Sequence, residues 1–269
     1  MADSAEQTKK SNVEPTNDFE EMSPKQRYVR FEDCLSKCTI HSSFRGFDTR
    51  NGVQILWHVI TLVDDEEAAE DCLVTMVQFQ KSCENKYIVA IFDAWVSTDK
   101  NSLNLMTAVY DTLKVFVTKK CSRLRWRIVK KWCKQILRGL DFLHKSSPVV
   151  VHRCCTSTHI YVDSGFNGQG AIKCGDLWFS AMLKDDSNLI ALSADMVKQF
   201  RMENKTSHIP PEALEGGPLT TKGDIFSFGM SVLEVMARDE REPYRECRND
   251  VAQIEHQIRS GFPPAVLSR

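Results

Sequence analysis

Residues 128–144 constrain the fold more than any other stretch, because Ile128, Trp132, Ile136 and Leu140 recur every four residues. Flanked by Val129, Cys133, Leu137 and Leu143, they form one apolar stripe, and Lys130, Lys131, Lys134 and Arg138 take the other face. That spacing is the period of an α-helix, so the chain must supply a core for one side of it. Earlier residues read differently. Residues 28–35, 53–62, 88–96 and 103–110 are short runs rich in β-branched and aromatic side chains, which predicts strands. Between the second and third of them, Ala69, Leu73, Met76 or Val77, and Gln80 follow a helical spacing within residues 66–83. Later, residues 224–237 are apolar nearly all round, which predicts a central buried helix, and residues 149–151, 160–162 and 172–174 read as short strands. A sheet-rich first part followed by a helical second part is an α+β arrangement.

With 269 residues, 42% of them hydrophobic, the chain can bury a substantial core. Its 35 basic and 36 acidic residues give a formal net charge of -1, so no long-range field draws a polyanion, and neither nucleic acid nor a membrane surface is an expected partner. The longest apolar run, residues 87–95, is about half the ~20 residues that a membrane-spanning helix needs. Ten scattered cysteines without paired C-x-x-C spacing predict a reducing, cytoplasmic setting. Residues 1–24 are polar and aperiodic and predict a disordered tail ahead of a folded domain over residues 25–269.

Several local strings occur in a telling order: RGFDTRNG and IFDAWVST, then WCKQILRGLDFLH, VVHRCCTSTHIYV, IKCGDLWF, IPPEALE, GDIFSFGMSVLEVMA and PYRECRNDVAQIEHQIRSGFPPA. Together they cover roughly residues 28–269 and resemble a protein kinase, most closely the with-no-lysine (WNK) serine/threonine kinases. The resemblance implies a two-lobed fold, with a small antiparallel sheet and one helix over about residues 25–110 and a helical lobe over about residues 111–269. It also implies further helices beyond Arg269, so the second lobe is expected to be truncated and to lack the arginine that pairs with Glu212.

Kinase chemistry consists almost wholly of positioning and charge neutralisation by a few groups. At those stations the resemblance places unusual residues. The phosphate-covering loop, residues 35–44, contains no glycine. His58 stands at the usual strand lysine, and His41 stands at the WNK family's alternative lysine. Met76 replaces the helix glutamate, Cys154 the proton-accepting aspartate, Thr156 the loop lysine and His159 the magnesium-binding asparagine. Asp176 remains as a magnesium ligand, but Trp178 replaces the glycine that follows its neighbour, and its ring is expected to fill space near the vacated phosphate site. The scaffold set His152, Arg153, Glu212 and Asp224 is intact. Ser187 and Ser193 lie in the segment after Asp176 as candidate phosphorylation sites.

The pattern predicts a catalytically inactive pseudokinase that scaffolds or allosterically tunes another kinase or a kinase substrate, with no cofactor. The alternative is a weakly active ATP-dependent serine/threonine kinase using magnesium at Asp176. A third reading, a thiol sensor through Cys154 and Cys155, needs a thiolate that forms readily.

Overall fold

The computed structural model describes residues 19–37, 40–62, 67–121, 123–164, 170–183, 189–190, 205–217, 220–237 and 243–268. Ser187, Ser193 and residues 1–18 of the predicted tail lie outside them.

The first lobe is a six-stranded antiparallel sheet: β1 (Glu21–Met22), β2 (Tyr28–Lys37), β3 (His41–Asp48), β4 (Val53–Thr61), β5 (Ile91–Ser97) and β6 (Ser102–Ala108). Its order is β1-β2-β3-β4-β6-β5. Glu21 and Met22 pair with Arg30 and Val29, so sheet structure begins inside the stretch read as tail. Sequence periodicity did not mark β3, whose residues HSSFRGFD are polar and include a glycine. Tertiary pairing decides it: every residue from His41 to Asp48 has a partner on β4, from Ile60 to Val53. Gly46 belongs there because a Cβ would lie 2.8 Å from Ile55 Cδ1 and 2.9 Å from the Val29 carbonyl oxygen.

Helix α1 (Glu67–Ser82) lies against this sheet. Leu73 and Val77 join Ile60, Leu103 and Leu105 in the sheet core, while Met76 turns toward Leu140, Leu143 and Leu177 of the second lobe. Gln80 sits in the apolar stripe because its Nε2 donates to the buried Val89 carbonyl at 2.8 Å. The strand expected from Ile88 begins only at Ile91, and Ile88 makes a single bridge to Cys174.

Beyond β7 (Asp111–Thr112) and the short α2 (Leu113–Val115), helix α3 (Trp126–His144) forms as the stripe predicts, two residues earlier than its apolar period. It buries Val129, Trp132, Ile136, Leu140 and Leu143, each of which contributes about 1.5–3 kcal/mol from apolar surface removed from water. Strands β8 (Val149–Val151), β9 (Ile160–Asp163), β10 (Ala171–Cys174), β11 (Ala181–Leu183) and β12 (Leu189–Ile190) and helices α4 (Pro211–Leu214), α5 (Thr221–Ala237) and α6 (Val251–Arg259) complete the lobe.

Helix α5 corrects the expectation of a helix buried all round. It buries Asp224, Ser227, Ser231 and Glu234, whereas Ile225 and Met236 stay 47% and 49% exposed. Positions three and four apart share a face, so the helix turns a polar seam inward. The reason is that the backbone above it needs acceptors and donors. Ser231 Oγ donates to the Cys155 carbonyl at 2.8 Å, Ser227 Oγ to the His208 carbonyl at 2.7 Å, and Asp224 accepts from the loop described next.

Candidate functional site

Residues 152–159 join β8 to β9 across the head of α5. Backbone N–H groups of His152 and Arg153 donate to Asp224 Oδ2 and Oδ1 at 2.8 and 2.7 Å, and His144 Nε2 lies 2.8 Å from Oδ2. Arg153 has φ +69°, a left-handed conformation that costs energy outside glycine and persists here because the carboxylate holds its own amide and the one before it. His152 is fully buried, its Nδ1 accepts from Cys154 N–H, and burial pushes its imidazole below the ordinary histidine range. Further along, Ser157 Oγ donates to Glu234 at 2.5 Å, and Lys205 Nζ lies 2.7 Å from the same carboxyl. Burial raises the Glu234 pKa, and the His208, Lys205 and Ser157 contacts outweigh it, leaving the acid well below the carboxylate range. Glu234 was not foreseen as a site residue because an apolar helix pattern surrounds it. Glu212 accepts from Thr220 Oγ1 at 3.1 Å.

Cys154 packs in the same cluster as Leu73, Trp178 and Phe179. Its neighbour Cys155 is wholly buried, which pushes its thiol well above the ordinary range, the opposite of what a thiol sensor needs. Thr156 Oγ1 is 2.8 Å from Thr158 Oγ1.

A cleft of about 740 Å³ lies between the lobes, lined by Leu56, Val109, Tyr110, His159 and Asp176 among others. Lys37, at the exposed end of β2, is the one cationic lining residue among the described residues. His41 and His58 stack across β3 and β4 with ring centres 5.2 Å apart. His41 Nε2 lies 3.0 Å from His58 Nδ1, His58 Nε2 lies 2.9 Å from Thr107 Oγ1, and Thr107 donates to the Ala108 carbonyl. All three bonds are satisfied when each ring carries its proton on Nε2, so the relay runs from His41 to the backbone carbonyl. Burial and the adjacent His41 depress the His58 pKa to about 3, which keeps it neutral at pH 7.

Asp176 closes the inner end of the cleft. Its Oδ2 is 2.6 Å from His159 Nδ1, and the Tyr161 hydroxyl lies 3.0 and 2.8 Å from Oδ1 and Oδ2. Burial raises this carboxyl, yet the His159 hydrogen bond, followed by the electrostatic effect of His159 and His41, brings it below its ordinary value. Asp176 itself has φ +58°. Gly175 makes the Tyr161 contact feasible, because a Cβ there would lie 2.5 Å from the Tyr161 ring. Tyr161 is the site residue that sequence reasoning missed. Its signal was an aromatic two residues after His159 on a strand paired with the one leading to Asp176, a contact visible only in the register.

Trp178 lies on a 3-10 turn (Leu177–Phe179) and is 0% exposed. Its ring is 5.8 Å from His41 and 5.4 Å from His58, behind the pair rather than on the cleft wall, in a cluster with Ile40, Leu73 and Leu105. Among the described residues its indole N–H has no hydrogen-bond partner. Met76 is fully buried, so this position of α1 presents a thioether and no charge.

The family model described as Protein kinase domain matches residues 42–263. A rice protein (Oryza sativa subsp. japonica) named "Probable serine/threonine-protein kinase WNK5" is 31% identical over 255 residues, which span 93% of this chain and 73% of that protein. Two Arabidopsis thaliana proteins, named serine/threonine-protein kinase WNK8 and probable serine/threonine-protein kinase WNK10, are each 28% identical across 94% of this chain. The chain spans only 42% and 45% of their lengths. No described helix is long and apolar enough to cross a membrane.

Proposed function

Given that the chain belongs to the protein kinase family, as a WNK-like member, we propose that it is a pseudokinase whose role is to bind and tune another kinase or a kinase substrate. The carboxylate of Asp176, hydrogen-bonded by two side chains, carries this reading. Phosphoryl transfer needs magnesium bridging the β- and γ-phosphates, held by that aspartate and an asparagine. Here His159 occupies the asparagine's station and, with Tyr161, takes up both oxygens of Asp176. The imidazole and phenol donors thus compete with a metal for the lone pairs of this carboxylate.

The remaining donor set does not fit a magnesium–nucleotide pair either. Cys154 offers no general base at the station where the substrate hydroxyl would lose its proton. Met76 and His58 replace an ion pair with a buried thioether and a neutral imidazole. No step of phosphate transfer follows from these residues.

A weakly active serine/threonine kinase is the second reading, and the open cleft with Lys37 on its wall is the observation in its favour. Transfer of labelled γ-phosphate from magnesium–ATP to a generic serine/threonine substrate separates the two. The pseudokinase reading predicts no transfer above that of Asp176→Ala, and transfer that Asp176→Ala abolishes would overturn it.

A further inference from the structure

The near-zero net charge conceals one segment of a single sign. Residues 112–140 hold ten Lys or Arg and no Asp or Glu, so the other 240 residues, with 25 basic and 36 acidic, carry a formal charge of -11. Within the segment, Arg127, Lys130, Lys131, Lys134 and Arg138 recur at intervals of three and four on α3, which puts them on one face. With Gln135 they line a concave recess of about 370 Å³. Gln135 Oε1 accepts from Ile172 N–H at 3.1 Å, which ties the recess to β10.

Three members of this stripe have no acidic partner among the described residues. Among the described residues, no carboxylate lies within 4 Å of Arg127, Lys130 or Lys134. Arg138 is held by Tyr87, its Nη1 donating to the phenol oxygen at 2.9 Å. Like charges three and four apart weaken a helix. Alternating the signs would remove that cost.

We propose that this recess docks an acidic, extended peptide segment of a partner protein. The eleven helical steps from Arg127 to Arg138 rise about 16 Å, the reach of about five extended residues. Trp126, 62% exposed and one turn before Lys130, offers an apolar contact at one end of the stripe. A bilayer or a nucleic acid would extend past the stripe and meet the acidic remainder of the chain, whereas a short segment of Asp and Glu would not. This surface is separate from the cleft and does not depend on whether phosphate is transferred.

The test is fluorescence anisotropy of a labelled deca-glutamate peptide with the full chain at about 50 and about 300 mM NaCl. Saturable binding is expected, weakened about tenfold or more by the added salt and again by K130E/K134E. The reversal relieves repulsion within α3, so its Tm should not fall; K130Q/K134Q gives the same readout without introducing acids. Three outcomes would overturn the proposal: no saturable binding, binding that both variants retain, or equal or tighter binding through these lysines to a short RNA or to phosphatidylserine vesicles.

Discussion

Two buried aspartates, Asp224 and Asp176, both accept hydrogen bonds on each oxygen, but from different kinds of partner. Asp224 holds the backbone amides of His152 and Arg153. Asp176 is held by the side chains of His159 and Tyr161. A backbone clamp is indifferent to what the loop's other side chains are, so residues 154–159 can carry Cys, Thr and His while the loop keeps its course. A side-chain clamp changes with its residues, and the same carboxylate is a metal ligand or an internal hydrogen-bond partner according to its neighbours. Architecture and chemistry can therefore separate within one loop.

Breaking the backbone clamp should have the largest effect. Asp224→Ala leaves two buried amides and His144 without their acceptor, and about 3–5 kcal/mol of stability should be lost, read as a fall in the denaturant midpoint. A change below 1 kcal/mol would put the loop's course under other control. Next, Trp178→Gly empties a fully buried site and should cost about 3 kcal/mol, partial collapse limiting the loss, while opening no magnesium–ATP binding because the ring lies behind the histidine pair. Nucleotide binding gained by this variant would make the ring a block after all.

Tyr161→Phe removes only a hydrogen bond to a charged group and should cost about 1.5–3 kcal/mol, leaving the fold otherwise intact by circular dichroism. The smallest effect is on pH dependence. The folded His58 pKa of about 3 lies below the unfolded value near 6.5, so between these limits the unfolded chain takes up a proton that the folded chain refuses. Stability is then fully present above about pH 6.5 and declines as pH falls toward 3. His41 and Asp176 face this ring and share the titration, so His58→Gln should flatten the slope of Tm against pH without abolishing it.

The helices α1 and α3 and most strands were legible because apolar period reports burial directly. Strand β3 was not, since Ser42, Ser43 and Arg45 are placed by pairing to β4 rather than by their own propensity. The inward polar seam of α5 was hidden for a related reason: hydrophobicity alone cannot tell that Ser227 and Ser231 are needed by backbone carbonyls across the interface, and Glu234 by the side chains of Ser157 and Lys205. At the site, the replaced residues His41, His58, Cys154 and His159 could be named from the loop strings, but their partners could not. The Thr107 end of the histidine relay and the Tyr161 hydroxyl come from strands far away in sequence.

The central claim is that His159 and Tyr161 hold Asp176 in place of a metal, and isothermal titration of the chain with magnesium–ATP tests it most directly. The account predicts no magnesium-dependent heat with ligand up to about 1 mM, a free energy weaker than about -4 kcal/mol. Saturable binding that requires magnesium and disappears in Asp176→Ala would contradict it.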